Sequence, residues 1–199
     1  MILGNRFLSL NNNCVKDILK ICFTKDNLSR KVCLLRENEE KHLTVTTLKS
    51  KYLYSKIINK VKPLIDYRDS VPYHLESFYD KNDDTIYCLP ASFFKNTLYY
   101  YKYIFTEIPH MLTTKSRMNK PLPMGISDYY PNKIVEEMFA YLLIKQHCGI
   151  NDEVLVSHCL TNINTYFKSM KIKMDRPELL KLLKKSVDFY NYFIYNRIE

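Results

Sequence analysis

The sequence predicts a mainly helical α+β fold, and three observations carry the prediction. Four long segments in the second half of the 199-residue chain place apolar residues at helical spacing. One short run, "TIYCL", is stopped by Pro90 and reads as a strand. The first 70 residues have a different texture and read as a small α/β unit of their own, so the expected domains are 1–70 and 71–199.

In the N-terminal unit, "NNNCVKDILKICF" opens on asparagine caps and puts Val15, Ile18, Leu19 and Cys22 on one helical face. "HLTVTTL" at 42–48 has strand character. "KYLYSKIINKVKPLI" lines up Leu53, Ile57, Val61 and Leu64, with Pro63 near the end of that helix.

Farther on, "KNDD" signals a turn ahead of the strand "TIYCL". "ASFFKNTLYYYKYIFTEIPHMLT" then reads as a buried helix that Ser92 caps and Pro109 bends. Residues 115–131 carry the prolines and glycine of a loop. "NKIVEEMFAYLLIKQHCG" is apolar on nearly all sides, and Gly149 is its natural stop. The next helix starts at an Asn/Asp cap and presents Leu155, Cys159, Ile163, Tyr166 and Met170. In the last helix Asp175 and Glu178 have capping-box spacing. Its inward stripe is Leu179, Leu183, Val187, Tyr190 and Ile194.

Composition narrows the function classes. The chain has 3 Gly, no Trp and 17 Tyr, a bias typical of A/T-rich coding genomes such as those of some viruses and mobile elements. Its formal charge of +9 suits nucleic acid, an acidic partner or a solvated lysine surface, and the lysines are dispersed rather than clustered. The six cysteines form no CxxC pair and no zinc-ribbon spacing. The start "MILGNRFLSLNNN" is too polar for a signal sequence, and no apolar run approaches the ~20 residues of a membrane span. The expectation is an intracellular protein, in host cytoplasm, nucleus or virion, with reduced cysteines and no membrane partner.

The chemistry centres on "TEIPH" at 106–110. Exchanging Thr106 for histidine creates His-Glu-x-x-His, whose ligands at i and i+4 share a helical face and reach one Zn²⁺. The Glu between them takes a proton from metal-bound water. In that scheme His110 is a ligand, Glu107 the base, and Glu136 or Glu137 a third ligand from a later helix. Thr106 breaks the set, because a neutral hydroxyl is a poor zinc ligand. Read alone, the pentapeptide is more simply a local Glu/His hydrogen bond.

Its surroundings extend the match. "NDDTIYCLP" at 82–90 is followed by Phe93 and Phe94. "YYKYIFTEIPHMLTTKSRMNK" at 100–120 carries Glu107, His110, Thr113, Arg117 and Asn119. "YYPNKIVEEMFAYLLIKQHCGI" at 129–150 carries Glu136, Glu137, Ala140, Leu143, Gly149 and Ile150. In this order, residues 79–195 resemble the C-terminal zincin-like domain of the ArdC antirestriction family, related to the ImmA/IrrE metallopeptidases. The resemblance implies a small sheet packed on a degenerate HExxH helix and a second Glu-bearing helix.

It further implies a vestigial base in Glu107 and vestigial metal ligands in His110 and Glu137, with Glu136 the alternative. Thr106 stands at the lost-ligand position, and Tyr141 replaces an acidic family residue. Residues 1–70 show no match to the family's DNA-binding domain. Among the other histidines, His147 lies ten residues past Glu137, ~15 Å along a helix and too far to share an ion. His42, His158 and Glu76 are weaker substitutes than His74.

Three functional readings follow. The leading one is a catalytically degenerate metallopeptidase-fold protein of a virus or mobile element, binding a protein partner and using no cofactor. The alternatives are an active zinc metalloprotease with an unusual ligand set and a basic, nucleic-acid-associated, antirestriction-like protein.

Overall fold

The computed structural model describes residues 14–23, 54–59, 61, 65–67, 76–94, 97–120, 122, 128–147, 153–170 and 174–195. The expected strand at 42–48, the caps before residue 14 and at 151–152, and Leu53, Pro63, Leu64, His42, His74 and Gly149 lie outside them. The described elements are α1 (14–23), α2 (54–59), β1 (Ile65–Tyr67), β2 (Ser77–Asp80) and β3 (Thr85–Cys88). They continue with α3 (Thr97–Leu112), α4 (Tyr129–Leu142), α5 (Glu153–Ser169) and α6 (Arg176–Tyr195). The fold is therefore mainly helical with one small sheet.

The centre of the molecule is α4. Every residue from Ile134 to Leu142 is buried, which fits a sequence with no polar face and neighbours on several sides. It packs against α3, α5 and α6. It starts three residues before the expected Asn132, with Asp128 at its N-cap making no side-chain cap hydrogen bond. Pro131 is tolerated there because first-turn N–H groups have no partner inside the helix. At its other end the chain passes through a π-helical turn, Leu143–His147.

Helix α3 lies between α4 and the sheet, touching β2 and β3. It buries Ile104, Phe105, Ile108, Met111 and Leu112. It runs through Pro109 and ends three residues later, so the missing donor falls in the last turn. Ser92 does not cap it: Ala91–Phe93 form a separate 3₁₀ turn without a side-chain cap. The expected capping box of α6 is present. Glu178 N donates to Asp175 Oδ1 at 2.8 Å and Asp175 N to Glu178 Oε2 at 3.3 Å. The buried stripe of α6 is Leu179, Leu183, Ser186, Phe189, Tyr190 and Phe193, and the expected Val187 and Ile194 are only half-buried beside it.

The sheet has the order β1-β3-β2. β2 and β3 form an antiparallel hairpin pairing Ser77 with Cys88 and Asp80 with Thr85. Its turn takes Asp84 to φ 52°, a left-handed conformation that aspartate tolerates better than most residues. β1 pairs parallel with β3, Ile65 opposite Ile86.

That parallel strand corrects the expected boundary at residue 70. Cys14, Ile18, Tyr54, Ile57, Ile58 and Val61 belong to the same buried core as Ile104, Phe105 and Phe139. The Tyr54 ring lies edge-on to Phe105 at 5.5 Å. Asp17 Oδ2 accepts from Tyr141 Oη at 3.0 Å and from Lys145 Nζ at 2.8 Å. A division there would cut through a sheet and a core. Cys14, Cys22, Cys88 and Cys159 are thiols, and burial pushes Cys22 and Cys88 up to about 12.

Candidate functional site

The i, i+3 spacing of Glu107 and His110 sets both on one side of α3, facing α4. His110 Nε2 lies 2.7 Å from Glu136 Oε1. The second oxygen of Glu136 accepts from Lys133 Nζ, also at 2.7 Å, one turn earlier on α4. Glu107 Oε1 accepts from Ser77 Oγ at 3.1 Å, and that hydroxyl lies equally close to Tyr103 O. Strand β2 therefore supports Glu107 from one side while α4 supplies charges from the other. Glu136 is 2% exposed, His110 30% and Lys133 27%, so the cluster meets solvent through the imidazole and the lysine.

Charge follows from this geometry. Burial pushes the Glu136 carboxyl up, but the His110 and Lys133 contacts outweigh it and hold the group below the ordinary glutamate value. Burial lowers His110, yet Glu136 and Glu107 together raise it above the ordinary histidine value. Burial and the Glu136 charge raise Glu107 against the pull of His110 and Lys133. The result is a Glu136 carboxylate held between the Lys133 ammonium and an imidazole whose protonated form it favours, with Glu107 drawn toward its neutral form.

The two α4 glutamates part company. Glu137 faces away from His110 and pairs with Lys102, a lysine only 1% exposed, on the middle of α3. Asn162 Nδ2 of α5 donates to the same Oε1 at 2.8 Å. The structure thus brings Glu136 to His110, and not Glu137, the expected third ligand. Adjacent helical residues point ~100° apart, and the crossing of α3 and α4 turns Glu136 toward His110.

These residues do not fit a zinc ion. Ligands of one tetrahedral zinc stand roughly 3.3 Å apart, whereas His110 and Glu136 are in direct hydrogen-bond contact. Thr106 Oγ1 is turned back onto Tyr103 O at 2.7 Å. Lys133 occupies the other face of the Glu136 carboxylate. Among the described residues no group of three or more His, Cys, Asp or Glu side chains is arranged to hold a metal.

The remaining candidates stand elsewhere. The His158 ring packs edge-on to Tyr99 at 4.9 Å. Glu76 is exposed: its carbonyl accepts from Leu89 N at 3.1 Å, and its carboxylate is engaged by the Tyr103 hydroxyl. Arg117 clamps both oxygens of Asp84 at 2.7 Å and also reaches Met111 O at 3.0 Å, tying the hairpin turn to the end of α3. Lys133, Lys102, Ser77 and Asn162 were not singled out by the sequence. Only Lys133 carries a readable signal, its i, i+3 spacing to Glu136.

No family model, curated protein or solved structure matches the chain. No helix among the described residues is long and apolar enough to cross a membrane.

Proposed function

We propose that this protein is a catalytically degenerate, ArdC-type zincin-like domain, used by a virus or mobile element to bind a protein partner. One observation carries the reading: His110 of one helix pairs with Glu136 of the next, with the Glu107 carboxyl close enough to feel both charges, as befits a base and two metal ligands of such a hydrolase, while Thr106 stands one turn before His110. The sheet packed behind α3 supports the same reading. Thr106 and Lys133 oppose activity, since the first offers no imidazole and the second saturates the remaining carboxylate. The exposed Tyr129 has the mixed apolar and polar character that partner surfaces favour, and the exposed Phe93 adds apolar area.

The test is hydrolysis of a denatured protein and a mixed peptide library by the wild type supplied with zinc, beside Glu107→Gln. The expected result is no chelator-sensitive cleavage by either. Cleavage lost in Glu107→Gln would establish the alternative, an active metalloprotease with an unusual ligand set.

A further inference from the structure

We infer that the Lys133 ammonium has taken over the role of the lost metal cation, holding the Glu136 carboxylate by its own charge and obstructing the return of zinc. This rests on the zincin reading above. Glu136 is a 2% exposed carboxylate and needs compensating charge. In a hydrolase of this design a divalent ion supplies that charge. Here Lys133 Nζ supplies it at 2.7 Å, with His110 Nε2 at the same distance on the other oxygen.

The lysine is held for the task. Its stem starts one turn before Glu136 on the same helix, and its ammonium lies 5.9 Å from the centre of the Tyr129 ring. Both charges thus come from one rigid helix, so the contact needs no ligand and no second element to form. Thr106 complements the arrangement by satisfying its hydroxyl on Tyr103 O and adding no donor that would call for a cation. Loss of the imidazole alone leaves a buried carboxylate short of charge. Loss of the imidazole together with an internal ammonium leaves a stable core.

Two measurements test this. The first is thermal unfolding of the full chain as wild type, Lys133→Met and Lys133→Arg, with circular dichroism to check folding. Lys133→Met is expected to melt roughly 4–8 °C lower, and Lys133→Arg to recover most of the loss. An unchanged melting temperature in Lys133→Met overturns the inference.

The second is zinc affinity and zinc per chain after dialysis for Thr106→His alone and combined with Lys133→Met. The double variant is expected to retain zinc and to bind it at least about tenfold more tightly than Thr106→His. Equal zinc binding by the two overturns the inference while leaving the zincin reading intact. Zinc binding by neither overturns the zincin reading, and the inference with it.

Discussion

Replacing Lys102 with methionine removes the cation from a pair that is almost completely dry, with side chains 1% and 5% exposed. Glu137 keeps only the Asn162 amide at 2.8 Å, and its second oxygen has no hydrogen-bond partner among the described residues. Breaking a buried pair from one side costs about 3–5 kcal/mol. In a chain of this length 1 kcal/mol moves the melting temperature by about 2–4 °C, so Lys102→Met should melt roughly 6–20 °C lower. Glu137→Leu should lose a similar amount by stranding the ammonium.

The double variant Lys102→Met/Glu137→Leu strands no charge. Only Asn162 loses an acceptor, worth about 1 kcal/mol, and the new apolar contacts offset part of that. Chemical denaturation of the four proteins closes a double-mutant cycle, and the expected coupling is at least about 2 kcal/mol. Single variants within about 1 kcal/mol of wild type, or a double variant as unstable as the two singles added, would refute the assignment of Glu137 to the core rather than to the His110 cluster.

Other outcomes follow from separate contacts. Burial raises the Asp84 carboxyl, but hydrogen bonds from Arg117 and Tyr79 outweigh it and hold the group below its ordinary 3.8. Its contribution is present above that value and is lost as pH falls through the lower folded value, so wild type should lose stability over that acid range relative to Asp84→Asn. Denaturation midpoints at several acid pH values read this difference. Asp175→Ala should destabilise by about 1 kcal/mol through loss of its side of the capping box; a melting curve of that variant measures it.

Much of the helical architecture was legible because its signals are local. The Asp175/Glu178 box, the all-apolar face of α4 and the stripe at Leu155, Cys159 and Ile163 each follow from spacing within one segment. What the sequence hid depends on distant pairings. Lys102 sits inside "YYYKYI" and resembles a solvated lysine; only Glu137, 35 residues away, explains its burial. Glu136 and Glu137 are neighbours on a helix buried all round, so choosing between them requires the crossing of α3 and α4. The boundary at residue 70 failed for the same reason, since β1 finds its partner in β3 and α1 finds Tyr141 and Lys145, contacts that no composition shift announces.

On the proposed reading, a hydrolase-like helix pair is held together by an internal ion cluster in place of a metal. It is tested most directly by the zinc content of the wild-type protein, expressed with zinc in the medium and measured by elemental mass spectrometry after dialysis. Well under one zinc per chain is the predicted result. One tightly held zinc per chain, released by a chelator with a fall in melting temperature, would contradict it.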